Sequence, residues 1–394
     1  MDRMNASNDV RRLRLTTLAG VALALLLVPA RVGAALELKE YQTPYYIIYT
    51  DHDMDMVREA AARITAMAEE YHNRTKDFSG TIRKRLAFYL YSRLSDYAAS
   101  GGAGAGMFAG NRLMAFVPKG GGAEAWRVVQ HEGFHQFVTQ VIGGRMPIWV
   151  NEGLAEYFGE GIWTGDDFVT GVIPNRRLGR VRALIQDNQL RPFPQMFTLS
   201  SASWRSNLDV KNYDQAWSMV HFLVNADDGK YRKPFAEFLK DVSSGRTASV
   251  AFAERFGSDL KAFEDKYRQW WLSVPDDSAA ESRTVAVCQT LESFLARAYV
   301  SSQRFQGAQE FFEAARADKL QCPKEQWLPP SLLKSALAAA PAPDLWSLVT
   351  TGPRPKLVLT RQDGATFTAE FTQDPNKEFK VKVEIRRPPT KKPP

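Results

Sequence analysis

The sequence predicts an α+β fold in which strands and helices are largely segregated along the chain, and three observations carry that expectation. Two runs rich in β-branched and aromatic residues, 45–50 and 86–91, lie in the first quarter. From Tyr213 to Leu272 the apolar residues recur at helical spacing. Residues 355–386 then switch to alternation, as in Phe379-Lys380-Val381-Lys382-Val383. At 394 residues the chain is longer than one core usually serves, so more than one domain is expected.

The elements follow in order. The first run, 45–50, is a strand, with Asp51 and Asp53 as candidate caps for the helix after it. Ile64, Met67, Ala68 and Tyr71 form the buried stripe of that helix. A second strand is expected over 86–91. Gly101 to Gly106 form a loop with no following Gly-Lys-Ser/Thr, which excludes a phosphate-binding loop of that type. Residues 107–117 read as a strand or hairpin, 123–141 as a helix ended by Gly143, Gly144 and Pro147, and 148–158 as a second helix. Residues 161–212 look irregular. Helices are expected at 213–224, 233–242, 249–256 and 260–272.

Pro275-Asp276-Asp277 marks a boundary. Residues 35–275 are expected to form a catalytic domain and 276–350 a small helical module, with helices near 281–299, 304–316 and 330–340. Residues 351–386 are expected to form β-strands, with Asp363-Gly364 as a hairpin turn. The tail, 387–394, is basic and proline-rich and expected to be disordered.

Residues 1–34 read as a signal peptide. Arg11, Arg12 and Arg14 precede an apolar run from Leu18 to Val28, and Val32-Gly33-Ala34 offers small residues for cleavage. The run is shorter than the ~20 residues of a spanning helix, so an uncleaved anchor is the weaker alternative and no stable membrane span is expected after cleavage. Export to the periplasm or beyond follows, and in that oxidising setting Cys288 and Cys322 are expected to pair. The formal net charge of +7 drops to +4 once the five arginines and two aspartates of 1–34 are removed. With no basic stripe interleaved with aromatics, no nucleic-acid partner is expected.

The chemistry lies in His131-Glu132-Gly133-Phe134-His135. Positions i and i+4 share a helix face, so His131 and His135 can hold one metal ion, and Glu132 is placed to act on a water at that ion. Two histidines in this register, in a chain with only five, are hard to ascribe to accident. Catalytic zinc takes three protein ligands, and Glu152 on the next helix is the natural third. Glu156, one turn on, is assigned to the outer nitrogen of a histidine ligand. Such a donor set suits zinc best. His221 is read as packed or solvent-facing rather than as an oxyanion donor, and His52 and His72 as structural or exposed. Arg176, Arg177, Arg180 and Arg182 form a basic run that fits a solvated helix face or a substrate carboxylate.

Together with Trp149-Val150-Asn151-Glu152-Gly153-Leu154-Ala155-Glu156-Tyr157-Phe158, the motif resembles the gluzincin (peptidase MA-like) zinc metallopeptidases and is closest to the bacterial DUF1570 proteins. The resemblance covers roughly residues 40–275. It implies a thermolysin-like domain: a small sheet, an active-site helix, a glutamate helix and a helical lower half. It also singles out Tyr213, at the start of a lower helix, as the donor to the tetrahedral oxyanion. M1 aminopeptidases carry a Gly-x-Met-Glu-Asn strand whose glutamate holds the substrate amine. This chain has Gly106-Met107-Phe108-Ala109-Gly110-Asn111 there, without the glutamate, which favours an endopeptidase. The strand 112–116 is then expected to accept an extended peptide by β-addition.

The expected function is therefore an exported zinc metallopeptidase acting on peptide or protein substrates. His131, His135 and Glu152 would bind the metal, Glu132 would serve as general base and Tyr213 as electrophile. The alternative is a cell-envelope zinc-binding scaffold with little or no proteolytic activity. No partner for the C-terminal region can be named from the sequence.

Overall fold

The computed structural model describes residues 37–119, 122–143, 146–206, 209–374 and 378–388. It opens with β1 (Lys39–Gln42), β2 (Tyr46–Thr50), α1 (Met54–Thr75), β3 (Leu86–Tyr91), α2 (Leu94–Ala99), β4 (Gly106–Ala109) and β5 (Arg112–Phe116). The strands form one sheet in the order β1-β2-β3-β5-β4. β2, β3 and β5 are parallel, and the two outer strands run antiparallel to their neighbours. Asp53 caps α1 by accepting the Met56 N–H. Ile48, Phe88 and Leu113 align in register on one face and are fully buried, with Ile64 and Met67 of α1 in the same core.

Gly110 and Asn111 link β4 to β5 with φ of 54° and 66°, the two positive values that a type I′ hairpin turn requires. This hairpin corrects one expectation. β5, the strand expected to accept a peptide, has β3 on one side and β4 on the other, so the free edge belongs to β4.

α3 (Ala123–Phe137) runs on into a π-helical turn, Val138–Ile142, and ends at Gly143, whose φ is 86°. α4 (Ile148–Gly159) follows, then the short hairpin β6 (Ile162–Trp163) and β7 (Phe168–Val169). Next come α5 (Asn175–Gln186), α6 (Phe193–Thr198), α7 (Ser201–Ser206) and α8 (Val210–Gly229), in which Ala226, Asp227 and Asp228 leave helical geometry. α9 (Arg232–Ser243), α10 (Ala248–Phe256) and α11 (Leu260–Ser273) complete this half. Residues 161–212 are thus not irregular. α5 buries Leu178, Val181, Leu184 and Ile185 on one face, a stripe masked in the sequence by four arginines and Gly179.

The C-terminal part comprises α12 (Ser278–Val300), α13 (Ala308–Arg316), α14 (Pro330–Ala339), β8 (Trp346–Val349), β9 (Lys356–Thr360), β10 (Thr366–Gln373) and β11 (Phe379–Arg386). The strands form an antiparallel sheet, β11-β10-β9-β8, against which α12 packs. Asp363-Gly364 makes the turn between β9 and β10, with the Gly364 φ at 81° and the Asp363 side chain accepting the Ala365 N–H. From Glu37 onward the chain forms one compact unit, and its buried core runs from the first sheet to the second without a break at residue 275.

The disulfide expected between Cys288 and Cys322 is not formed; both thiols are free. The Cys322 Sγ and the Arg297 Nε both approach the Gln326 carbonyl oxygen, at 3.1 and 2.6 Å. Cys288 lies nine residues back along α12, ~13 Å of helix, beyond the span a disulfide bridges. The expected signal peptide lies outside the described residues, as do 389–394 of the tail, whereas Arg387 pairs with Glu281 at 2.5 Å. Among the described residues no helix is long and apolar enough to cross a membrane.

Candidate metal centre

Close helix packing fixes the positions of the candidate ligands. α3 packs against α1 at Gly133, where a Cβ would meet the Met67 Cε at 2.8 Å and the Tyr71 hydroxyl at 3.2 Å. Tyr71 donates its hydroxyl to the Gln130 carbonyl, pinning α3 at the residue just before the motif. α4 crosses α8 at Gly153, where a Cβ would lie 2.5 Å from the Ala216 carbonyl oxygen. Both glycines exist for close approach, and each sits beside a functional side chain. The fully buried Trp149 and Val150 anchor the first turn of α4, which presents Glu152 to α3.

His131, His135 and Glu152 converge. The two histidine Nε2 atoms are 3.1 Å apart, and Glu152 Oε2 lies 3.7 Å from that of His131 and 3.5 Å from that of His135. Donors arranged tetrahedrally at zinc bond lengths of ~2.0–2.2 Å sit roughly 3.3–3.6 Å apart. The outer nitrogens are also engaged. The Nδ1 of His135 faces Asn151 Oδ1 at 3.2 Å, and the Nδ1 of His131 faces Glu156 Oε1 at 3.4 Å. Both partners are acceptors, so each Nδ1 carries its proton and each Nε2 points a lone pair inward. Three electron-pair donors therefore meet at one point, an arrangement that a metal ion or a shared proton satisfies. The residues fit zinc.

The electrostatics agree with that reading. Burial, then the neighbouring His135, lowers the His131 pKa to about 3, so its imidazole is neutral across the physiological range. Burial acts the same way on His135, but the hydrogen bond and charge of Glu152 outweigh it and the net shift is upward. Without a metal, His135 is therefore the one of the two histidines that more readily takes a proton.

Glu132, one position from His131, points off the histidine face. Its Oε2 accepts the Phe108 N–H at 2.9 Å. Alternate residues of an antiparallel strand turn their N–H and C=O away from the partner, and Phe108 is one of them. The free edge of β4 thus opens beside Glu132. Burial raises the Glu132 pKa, with His135 and the Phe108 N–H opposing.

Tyr213 lies in the first turn of α8, half-buried, its ring edge-on to Trp204 at 5.2 Å. Its phenol pKa is raised by burial and then by the charge of Glu152, which places the hydroxyl in the field of the centre. His221 does not share that position. It is buried among Tyr157, Trp217, Trp270 and Trp271, with its Nε2 3.0 Å from the Gly171 carbonyl oxygen. His52 is buried, and His72 accepts the Ile82 N–H through its Nε2; neither approaches the centre.

Sequence reasoning missed three residues here. Asn151 orients His135. Arg177, read as part of a solvated face or a substrate contact, is buried, with NH2 2.6 Å from Glu156 Oε2. Asp214, next to Tyr213, is also buried and pairs with both Arg177 and Arg180. Only Asn151 left a signal, as a polar residue beside Glu152 in the first turn of its helix.

A family model described as a protein of unknown function (DUF1570) matches residues 126–247, a stretch holding every residue of the centre from His131 to Asp214. Among curated proteins and among solved structures, none matches the chain.

Proposed function

We propose that the chain is an exported zinc-dependent peptidase of the gluzincin kind, cleaving within extended peptides. The observation that carries the proposal is the convergence of three lone-pair donors at zinc spacing, with a separate carboxylate, Glu132, beside them at an open strand edge. A purely structural zinc usually has four protein ligands and needs no such carboxylate. His131, His135 and Glu152 would hold the ion, which when bound supplies Lewis acidity, polarising a carbonyl and making water acidic enough to ionise near pH 7.

The chain's own residues account for the remaining steps. Glu132 takes a proton from the attacking water and returns it to the departing amine, so the carboxylate ends each cycle as it began. Tyr213 donates its hydroxyl to the oxyanion as it develops, a contribution worth ~10²–10³ in rate. The outward backbone groups of β4, apart from the Phe108 N–H that Glu132 accepts, pair with a substrate backbone as an added strand. β4 carries no carboxylate to hold a free amine, which supports internal cleavage over removal of N-terminal residues.

The test is Glu132→Gln. The variant should bind zinc as the wild type does and lose ~10²–10⁴ of its activity in a peptide-library digest that chelator also abolishes. Full cleavage by the variant, or cleavage insensitive to chelator, rules the mechanism out.

A further inference from the structure

We propose that Arg177 is a positioning residue that locks the metal centre to the helix carrying Tyr213; the inference rests on the zinc-peptidase reading above. Arg177 belongs to α5, which supplies no metal ligand. Its side chain is only 7% exposed and, besides a longer pairing with Glu160 at 3.6 Å, spans two carboxylates from different helices. NH2 lies 2.6 Å from Glu156 Oε2 on α4, and Nε lies 3.2 Å from Asp214 Oδ1 on α8. The guanidinium also lies over the Trp217 ring, 5.1 Å from its centroid, which fixes the plane of the fork.

Each of those carboxylates leads to a functional group. The other oxygen of Glu156 faces the Nδ1 of His131, so the rotamer of Glu156 sets the orientation of a metal ligand. Asp214 directly follows Tyr213, so holding its side chain holds the first turn of α8. The guanidinium donates to Glu156 and sets its charge against Asp214, a contact that is an ion pair rather than an aligned hydrogen bond, and the flexible ammonium of lysine does not reproduce that fixed geometry. Arg127 sits 3.8 Å from Glu156 and 3.5 Å from Glu160. If Arg177 were removed, Glu156 would turn toward Arg127 and release the His131 Nδ1–H.

Arg180 provides the internal comparison. It grips Asp214 with two hydrogen bonds, of 2.5 and 2.7 Å, but among the described residues it makes no ion pair with Glu156. Losing Arg180 removes as much charge from Asp214 without freeing the histidine.

The experiment measures zinc affinity by chelator competition, and the absorption spectrum of the cobalt-substituted protein, for the wild type and five variants. Arg177→Met and Glu156→Gln should each weaken zinc about tenfold and alter the cobalt spectrum. The double variant should be no weaker than the worse single one, because both act through the same contact. Arg180→Met should bind as the wild type, and Arg177→Lys should fall between wild type and Arg177→Met. Wild-type affinity in Arg177→Met, additive losses in the double variant, or equal loss in Arg180→Met would overturn the proposal. If Arg177→Met does not fold, Arg177→Lys decides: unchanged affinity and spectrum sink the idea. A wild type that binds no zinc fails the peptidase reading itself, whereas a zinc-binding wild type with an indifferent Arg177 fails this inference alone.

Discussion

The Nε2 atoms of His131 and His135 lie 3.1 Å apart, while acceptors at both Nδ1 positions hold the imidazole protons on the far side of each ring. Two lone pairs and a carboxylate oxygen cannot share that space without a positive charge between them. In the metal-free protein the hydrogen bond and charge of Glu152 outweigh burial and raise the His135 pKa, which favours a proton there. A raised histidine pKa stabilises the fold below about 6.5 and loses that contribution as pH rises through the folded value. Zinc must displace the same proton, so its affinity should grow as pH rises through that titration. The gap in Tm between zinc-loaded and metal-free protein should therefore widen from pH 5 to pH 8. At a free zinc concentration of 100 times Kd the stabilisation should be about 2.7 kcal/mol. A gap independent of pH would mean that His135 is not the competing site.

Glu132 lies in surroundings that disfavour its anion. Burial raises its pKa above the ordinary carboxylate value, and no arginine or lysine is among the causes that oppose the shift. A carboxyl whose folded pKa is raised costs the fold stability once pH passes the unfolded value near 4.5. Glutamine keeps an oxygen for the Phe108 N–H but never ionises. In metal-free protein at pH 7, Glu132→Gln should therefore raise stability by about 0.5–2 kcal/mol, with the gain vanishing toward pH 4. Urea denaturation at the two pH values measures it. A variant less stable than wild type at pH 7 would show that the Phe108 contact outweighs desolvation.

What could be read in advance divides along physical lines. His131, His135 and Glu152 were legible because their geometry is local: one helix, then the first turn of the next. β3 appeared with its observed ends because its apolar run is bounded on both sides by polar residues. Arg177 and Asp214 were not legible as partners, since only the packing of α5 against α8 brings them together. α6 and α7 escaped because six residues make fewer than two turns and show no periodicity. The role of Gly133 and Gly153 was not legible, since it comes from atoms of helices far along the chain. The cysteines misled because two thiols in an exported chain suggest a bridge, whereas α12 separates them.

The two glycines should respond differently to alanine. In an isolated helix the change favours folding by about 1 kcal/mol. At Gly153 the added Cβ would lie 2.5 Å from the Ala216 carbonyl oxygen and 2.7 Å from the Val220 Cγ2, one of them backbone that cannot turn aside. Gly153→Ala should cost about 1–3 kcal/mol and weaken zinc, because α4 must move and carry Glu152 with it. At Gly133 the nearest atom is the Cε of Met67, the end of a flexible side chain, so Gly133→Ala should change stability by less than about 1 kcal/mol. Denaturant titrations of both variants settle the order, and the reverse order would contradict the helix crossing described.

Arg297 joins the C-terminal part to the half that carries the candidate metal centre. Its NH1 and NH2 meet both oxygens of Asp166 at 2.9 and 2.7 Å, with the two side chains only 6% and 9% exposed. Asp166 belongs to the turn between β6 and β7, and Arg297 to α12, so the pair bridges the position where a domain boundary was expected. Nε donates to the Gln326 carbonyl and the guanidinium covers the Phe379 ring, which leaves no donor edge idle. Removing one partner strands the other charge away from water, at a cost of about 3–5 kcal/mol. Arg297→Met should therefore destabilise the whole chain, lowering the urea midpoint of a single transition that also reports the metal centre. Adding Asp166→Leu should recover much of the loss, since no buried charge then remains unpaired. If Arg297→Met instead split unfolding into two transitions, with the centre unaffected, the two parts would be independent domains linked only by this contact.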